Sequence, residues 1–212
     1  MLTLAESSAL VGTEVSIRCR YASGLVPRLA ISAMQGHDSR VPPELVLSDS
    51  RIQLRPVAEG DRASLSAILA EPDVARWWVH EDVPTTVAGV FDDDDEIRLA
   101  IVVDGAVVGL IQYAEENTPD YRHAGIDLFI GGAWQGRGIG PDAIRLVARY
   151  LFQARGHHRL IIDPAVANDR AIRAYEKVGF QRVGVMRNYE RGADGRWHDG
   201  LLMDLLREEF RG

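Results

Sequence analysis

The sequence has a single cysteine, Cys19, among its 212 residues. One thiol cannot close an internal disulfide, and it cannot supply a cysteine-rich metal site. The six histidines also lack the spacing of metal ligands, because His157 and His158 are adjacent and no His-x3-His pattern occurs. We therefore expect no disulfide scaffold and no bound metal.

Long apolar runs and an excess of basic residues are missing as well. The best apolar stretch, residues 99–113, is interrupted by Asp104 and Gly105, whereas a membrane helix needs about 18–20 apolar residues in a row. Lys plus Arg total 24 against 31 Asp plus Glu, so the formal net charge is −7. Surfaces that bind nucleic acid are usually basic. We expect a cytoplasmic protein with neither a membrane span nor a nucleic-acid partner.

What the chain does have is an uneven distribution of charge. Residues 81–127 contain twelve acidic and two basic side chains, whereas residues 137–187 contain ten basic and four acidic ones. Two solvated faces would account for this pattern. It is also the pattern expected of a protein with two substrates, one cationic and the other carrying phosphate.

The first 48 residues differ from the rest, since they show little periodicity and no clear helix caps. The run Gly24-Leu25-Val26-Pro27-Arg28 resembles a protease-cleavage linker, and Met34 is a candidate start. Residues 1–48 are therefore either a leader or tag-like segment or an ordinary N-terminal arm. We expect the compact domain to occupy residues 49–212.

The first half of that domain alternates short strands and helices. The pattern predicts a strand over 52–55 ended by Pro56, followed by three helices whose first-turn or capping residues are Asp61, Pro72, and Thr85 or Thr86. The acidic run 92–95 is expected to be a solvated helix end or loop. Asp104-Gly105 between two apolar runs is a strong hairpin signal, and another strand spans 123–131.

The second half follows a strand, loop and helix order. A glycine-rich loop leads into an amphipathic helix over 141–154, a strand over 159–163 and a helix capped by Asn168. Two last strands are predicted over 180–187 and 201–205, joined by a polar loop over 190–200.

The glycine-rich loop is the first candidate binding site. Its residues are Gln135, Gly136, Arg137, Gly138, Ile139 and Gly140. Glycines allow backbone N–H groups to approach an anion closely, and a helix N-terminus adds its own free N–H groups and positive dipole. The loop lacks the Lys-Ser/Thr of a P-loop and the spacing of a dinucleotide fingerprint. A pyrophosphate is the anion we expect, although such loops are often only tight turns.

A second motif follows at the expected distance. Gln135-x-x-Gly138-x-Gly140, then a helix, a strand and Asn168…Tyr175-Glu176-Lys177-Val178-Gly179-Phe180, resembles the acyl-CoA signature of the GNAT N-acetyltransferase superfamily. The resemblance covers residues 51–208. Within the superfamily the chain is most similar to aminoglycoside 6′-N-acetyltransferases, through Trp77-Trp78, Gln112, Asp120, Gly125-Ile126-Asp127, Asp163-Pro164 and residues 171–177.

The resemblance implies a mixed α/β (α+β) fold, in which a mostly antiparallel sheet flanked by helices is splayed at the acyl-CoA site. It implies acetyl transfer from acetyl-CoA to a primary amine of a cationic small molecule, the 6′-amine of an aminoglycoside, and hence antibiotic resistance. The enzyme would be a monomer or a homodimer.

It also implies roles for individual residues. Asp127 would take the proton of the attacking amine, and Tyr175 would protonate the leaving thiolate. The backbone of Leu128, Phe129 and Ile130 would polarise the thioester carbonyl, and Asn168 would touch the cofactor arm besides capping its helix. Each residue has a structural alternative: an ion pair for Asp127, and packing in the core for Tyr175.

The acceptor site would combine aromatic and acidic side chains, namely Trp77, Trp78, Gln112, Asp120 and Asp163. Adjacent helical residues point about 100° apart, so we expect one tryptophan to serve and the other to pack in the core. Asp163 before Pro164 is equally typical of an Asx turn.

Two other functions stay open from the sequence. The segment 197–210 resembles siderophore lysine N-acyltransferases, so acylation of hydroxylysine, or of a protein N-terminus, is an alternative acceptor chemistry. A CoA-binding regulatory module without turnover is the alternative outside enzymes, and the intact pair Asp127 and Tyr175 counts against it.

Overall fold

The structure is a computed structural model, and it describes residues 45–92 and 96–212. Most of the predicted N-terminal segment 1–48, including Cys19 and Met34, lies outside these residues, as do residues 93–95 of the acidic run. Leu47–Ser48 at the end of that segment is a short strand of the main sheet.

One eight-stranded sheet organises the described chain. Its strands are β1 (Leu47–Ser48), β2 (Gln53–Pro56), β3 (Ile97–Val103), β4 (Ala106–Glu116), β5 (His123–Ile130), β6 (Arg159–Ile162), β7 (Gln181–Arg191) and β8 (Trp197–Leu206). They lie in the order β1-β2-β3-β4-β5-β6-β8-β7. All neighbours are antiparallel except β5 and β6, which are parallel. The predicted mixed, mostly antiparallel sheet is confirmed.

Five α-helices accompany the sheet in the described residues: α1 (Arg62–Leu69), α2 (Pro72–Trp78), α3 (Val83–Asp92), α4 (Ile139–Gln153) and α5 (Asp169–Glu176). Side chains from α4 and α5 pack with one set of strand residues. Helices α1 to α3 form a second cluster with Leu110 and Phe129. Ile144, Val147 and Leu151 on the predicted apolar face of α4 are fully buried, as their three- and four-residue spacing requires.

The sheet opens between its two parallel strands. Strands β5 and β6 pair only at Ala124 with Leu160 and at Gly125 with Ile161. From Ile126 onward β5 keeps its antiparallel partner β4 on one side but has no β6 residue opposite it on the other. The splay predicted from the family resemblance is confirmed, and it leaves the second half of β5 with an open edge.

The hairpin predicted at Asp104-Gly105 is confirmed. Asp104 has φ +50° and Gly105 has φ +80°, so both central residues of the two-residue turn are in the left-handed region. This conformation matches the twist of the two strands it joins, and glycine adopts it without strain.

Several predicted boundaries are wrong. Helix α3 is capped by Asp82, whose carboxylate accepts the Thr85 N–H at 2.7 Å, and not by Thr85 or Thr86. Helix α4 begins at Ile139 rather than Pro141, because Gly138 in the left-handed conformation already caps it. Pro56 is the last residue of β2. Strands β7 and β8 extend to Arg191 and Trp197, which shortens the loop predicted over 190–200.

Asp61 precedes α1 as predicted but makes no capping hydrogen bond to it. Its carboxylate, only 6% exposed, instead accepts two hydrogen bonds from Arg55 at 2.7 and 2.8 Å and one from the Ala58 N–H at 2.9 Å. These contacts tie β2 to the start of α1. The hydrogen bonds from Arg55 outweigh the effect of burial and hold the pKa of Asp61 below its usual value.

We expect Asp61→Asn to lower the free energy of unfolding at pH 7 by about 2–3 kcal/mol, because it leaves Arg55 without its charged partner. A carboxylate with a depressed pKa stabilises the fold above its unfolded pKa and loses that effect as the pH falls through its folded pKa. The difference from wild type should therefore shrink on acidification. Urea denaturation at several pH values measures it, with Glu59→Gln, in an exposed ion pair with Arg62, as control. Equal stabilities at pH 7 would contradict this.

Candidate functional site

The open edge of β5 presents backbone N–H groups. Gly131 donates its N–H to the Val108 carbonyl on β4 at 2.9 Å. Because N–H groups alternate in direction along a strand, those of Leu128 and Ile130 point away from β4 into the gap. Phe129 directs its N–H toward β4, and its ring packs in the core. Two of the three residues predicted to polarise a carbonyl therefore face the gap.

The glycine-rich loop continues directly from this edge. The Gln135 side chain donates to the Ile130 carbonyl at 2.7 Å, so it holds the loop against the end of β5. Gly136 and Gly138 have φ of +75° and +86°, which residues with a Cβ rarely adopt. The Arg137 guanidinium lies over the Trp134 ring at 5.1 Å.

Helix α4 begins at the end of this loop. Ile139 is buried and contributes to the core, whereas Gly140 packs in the first turn near the side chains of Leu128 and Ile130. The first N–H groups of a helix have no partner within it, so they are available to an anion. The open edge of β5, the glycine-rich loop and the first turn of α4 therefore follow one another directly along the chain.

Asp127 lies on β5 at the same level as this gap. Its register partner on β4 is Gln112, and the register partner of Gln112 on β3 is Arg98. Arg98 donates to the Gln112 side-chain oxygen at 3.3 Å. The Asp127 carboxylate accepts the Leu128 N–H at 3.2 Å. A row of polar groups thus crosses three strands and ends at the open edge.

Tyr175 on α5 is buried, with 7% of its surface exposed, and its ring lies 6.4 Å from that of Phe180. Burial raises the pKa of its hydroxyl, and the negative charges of Asp127 and Asp163 raise it further. Tyr175 is therefore a core residue whose hydroxyl is also affected by the charges of both carboxylates. At neutral pH its phenol keeps the proton.

Asp163 directly follows β6 and accepts a hydrogen bond from the Tyr189 hydroxyl on β7. The Tyr189 ring reaches it across Gly200 of β8, where a Cβ would come within 2.7 Å of the ring. Sequence reasoning missed Tyr189 because the strand was predicted to end at residue 187. The match of small Gly200 to a bulky neighbour depends on cross-strand register, which sequence periodicity does not fix.

Glu190, the next residue, was missed for the same reason. Burial and the charge of Asp163 raise the pKa of its carboxyl, while His80 and His198 act in the opposite direction. His198 is its register partner on β8. The ring nitrogen Nδ1 of His80 donates to the Arg191 carbonyl at 3.0 Å. The connection between α2 and α3 therefore contacts β7 next to Glu190.

The two adjacent tryptophans have different surroundings. Trp78 packs edge-on against Phe129 with ring centroids 4.8 Å apart, in the cluster of α1 to α3. The indole nitrogen of Trp77 is buried without a hydrogen-bond partner, and Arg76 lies over its ring. Trp78 thus packs in the core, and Trp77 stays the tryptophan predicted to contact the acceptor.

Two further predicted residues lie at the edges of the site. Asn168 caps α5 by accepting the Ala171 N–H at 3.2 Å, as predicted. Asp120 is exposed in the turn before β5, and about 13 Å of strand separates His123 from Asp127. Asp120 is therefore displaced along the strand from Asp127 and Asp163.

In residues 45–92 and 96–212, no group of three or more His, Cys, Asp or Glu side chains could hold a metal ion. No helix in that part of the chain is long and apolar enough to cross a bilayer.

The comparison with known families agrees with this geometry. A family described as "Acetyltransferase (GNAT) domain" matches residues 51–181, more than half of the chain. This protein belongs to the GNAT acetyltransferase family. The matched region of this GNAT protein includes Asp127, the glycine-rich loop and Tyr175.

Named relatives of this GNAT protein act on amines. It is 30% identical over 159 residues to aminoglycoside N(6′)-acetyltransferase type 1 of Klebsiella pneumoniae, with 66% of this chain and 78% of the relative covered. It is 25% identical over 165 residues to spermidine N(1)-acetyltransferase of Escherichia coli, with 75% and 88% covered. The structure of Mycobacterium smegmatis RimJ in complex with CoA-disulfide has a TM-score of 0.67 at 25% identity, with 76% of this chain and 84% of RimJ covered.

Proposed function

We propose that this protein transfers the acetyl group of acetyl-CoA to a primary amine of a cationic small molecule, and that the acceptor is the 6′-amine of an aminoglycoside. The observation that carries the proposal is the open edge of β5, which holds Asp127 and leads directly into the glycine-rich loop and α4. The buried phenol of Tyr175 on α5 supports it, because burial and the charges of Asp127 and Asp163 raise the pKa of its hydroxyl.

Acetyl-CoA fits the donor side. The glycine-rich loop and the N-terminus of α4 supply N–H groups for a pyrophosphate. The N–H group of Ile130, which points into the gap, supplies a donor where a carbonyl oxygen would gain negative charge, whereas that of Leu128 is donated to the Asp127 carboxylate at 3.2 Å. When bound, the cofactor supplies the activated acetyl group.

The chain's own groups account for proton movement. An ammonium group must lose its proton before its nitrogen can attack, and the Asp127 carboxylate is placed to receive it, directly or through water. The neutral phenol of Tyr175 is placed to give a proton to the departing sulfur. Neither the glycine-rich loop nor the Asn168–Phe180 motif contains a cysteine, so we propose direct transfer without a cysteine-bound acyl group.

The acceptor side is acidic, which suits a substrate with several ammonium groups. Asp127, Asp163 and Glu190 lie on β5, after β6 and on β7, and charge-assisted hydrogen bonds to carboxylates are the strong contacts available to ammonium groups. The aminoglycoside-acetylating relative supports the proposed acceptor. Spermidine is the second candidate, because the spermidine-acetylating relative covers more of both chains.

A thiol-release assay with acetyl-CoA tests the proposal. We would supply a kanamycin-type aminoglycoside, spermidine, hydroxylysine and an N-terminal peptide separately, then locate the acetyl group by mass spectrometry and NMR. Release stimulated by the aminoglycoside, with acetylation at the 6′-amine, supports the proposal. Preference for spermidine, hydroxylysine or the peptide would replace the acceptor, and CoA binding with no amine-dependent release would indicate a regulatory module.

A further inference from the structure

Arg51 makes contacts that none of the roles described above requires. It lies in the turn between β1 and β2, where the Asp49 carboxylate accepts the backbone N–H of Arg51 at 2.7 Å and that of Ile52 at 2.9 Å. These two bonds fix the turn and therefore the direction in which the Arg51 side chain leaves it. The guanidinium then reaches residues that are 86 and 91 positions later in the chain.

The two ends of the guanidinium bind the first turn of α4 and the glycine-rich loop that precedes it. Nη1 donates to the Asp142 carboxylate at 2.6 Å, and Nη2 donates to the Arg137 backbone carbonyl at 2.7 Å. A Cβ at Gly138, between these two contacts, would lie 3.3 Å from Nη1. Arg51 thus spans the residue at which the loop turns into α4.

The Asp142 carboxylate extends this connection to α5. Its other oxygen accepts a hydrogen bond from Arg145 at 3.2 Å, and Arg145 donates to the Lys177 carbonyl at 3.1 Å. Lys177 directly follows α5, two positions after Tyr175. One chain of contacts therefore runs from the turn between β1 and β2, through the first turn of α4, to the end of the helix that carries the proposed proton donor.

Charge gives the same contacts a second consequence. Asp142 places a carboxylate in the first turn of α4, close to where a pyrophosphate would bind, and an unpaired carboxylate there would repel it. Arg51 and Arg145 both pair with Asp142. The cluster of three side chains is therefore positive overall, and the loop can accept an anion.

We infer that Arg51 is a positioning residue for the phosphate-binding loop: its forked contact with Asp142 and the Arg137 carbonyl holds the loop in the conformation that presents its N–H groups, and it neutralises the carboxylate beside them. The inference rests on the proposed binding of acetyl-CoA. Lysine has one charged nitrogen and lacks the planar fork, so it cannot reproduce both contacts.

The test compares Arg51→Ala and Arg51→Lys with wild type and two acetyl donors. Acetyl-CoA has the pyrophosphate, whereas S-acetylpantetheine has the thioester and arm without it. We expect the KM for acetyl-CoA and the calorimetric Kd for CoA to rise roughly 10-fold in Arg51→Ala, and both constants to show most of this increase in Arg51→Lys. The KM for S-acetylpantetheine and kcat at saturating acetyl-CoA should stay within about 2-fold.

Controls separate this role from a general effect on folding. Arg62→Ala removes another arginine that forms an exposed ion pair, with Glu59, and should leave both donors unaffected. Thermal unfolding of every variant is measured. If Arg51→Ala does not fold, Arg51→Lys takes its place, because it keeps the positive charge and removes only the planar fork.

Three results would overturn the inference: Arg51→Lys matching wild type, an equal KM increase for both donors, or the same effect in Arg62→Ala. The outcome is also distinguishable from a failure of the proposed function. If the wild-type protein does not bind CoA, both the proposed function and the role of Arg51 are wrong. If wild type binds CoA but no amine in the panel is acetylated, the acceptor assignment falls and the Kd comparison still decides the role of Arg51.

Discussion

Asp127→Asn is expected to lower acetyl transfer by about 10²–10⁴-fold in kcat while leaving the Kd for CoA unchanged, if the carboxylate receives the amine proton. Asparagine has the same volume and still accepts a hydrogen bond at its side-chain oxygen, so the contact with the Leu128 N–H at 3.2 Å can persist. It cannot accept a proton at neutral pH. Steady-state kinetics with the amine acceptor, together with calorimetry for CoA, measure the two effects separately.

Loss of the Asp127 charge would also act on Tyr175, whose pKa that charge raises. Removing that charge lowers the pKa of Tyr175. Burial is the largest cause of the raised pKa and is unchanged in the variant, so the phenol keeps its proton at neutral pH. The loss of activity would therefore report on Asp127 itself and not on a deprotonated Tyr175.

The kinetic pattern distinguishes a base from an anchor. If Asp127 only binds an ammonium group of the acceptor, its KM rises and kcat at saturation is nearly kept. Asp104→Asn is the matched control, because it makes the same chemical change in an exposed turn where asparagine before glycine is favoured. Wild-type values for both kinetic constants in Asp127→Asn would show that the carboxylate is structural, and the proposed acceptor site would lose its central residue.

The parts of this site that sequence predicts are those encoded locally. The glycine-rich loop, the capping Asn168 and the apolar face of α4 each depend on residues within one or two turns of chain. The positive φ values of Gly136 and Gly138 are the physical reason that the glycines stand there. Alternation along β5 likewise gives the direction of each side chain from neighbours two residues away.

The parts that sequence did not predict depend on contacts between distant segments. Tyr189 reaches Asp163 only because Gly200 on the paired strand leaves room for its ring. Arg51 reaches Arg137 across 86 residues, through a turn that Asp49 fixes. Asp61 is of a residue type that commonly caps helices and stands directly before α1. Its carboxylate instead accepts hydrogen bonds from Arg55 on the preceding strand. Long-range partners of this kind require the register of the sheet, which short motifs do not contain.

Tyr175→Phe is the second change expected to have a large effect, with kcat falling by about 10²–10⁴-fold and stability changing little. Phenylalanine keeps the ring in the core and its contact with Phe180, so packing survives and only the hydroxyl is lost. Because burial and the nearby carboxylates raise the pKa of Tyr175, wild-type activity should show no decline at alkaline pH from ionisation of this group. A pH–rate profile beside urea denaturation measures both.

The matched control is Tyr113→Phe. Tyr113 is also buried, and burial together with its contact to Tyr150 raises its pKa as well, but it lies on β4 and is not next to Asp127 in register. The Tyr113→Phe variant should therefore have the kcat of wild type.

The chemistry of the donor gives a sharper criterion than rate alone. If Tyr175 protonates the departing sulfur, an acetyl thioester of a more acidic thiol needs that proton less, so the deficit of Tyr175→Phe should shrink with such a donor. A deficit that is the same for both thiols would place the hydroxyl in binding rather than in proton transfer. Wild-type kcat combined with a large loss of stability would assign Tyr175 to the core alone, since the only role left for its hydroxyl would be structural.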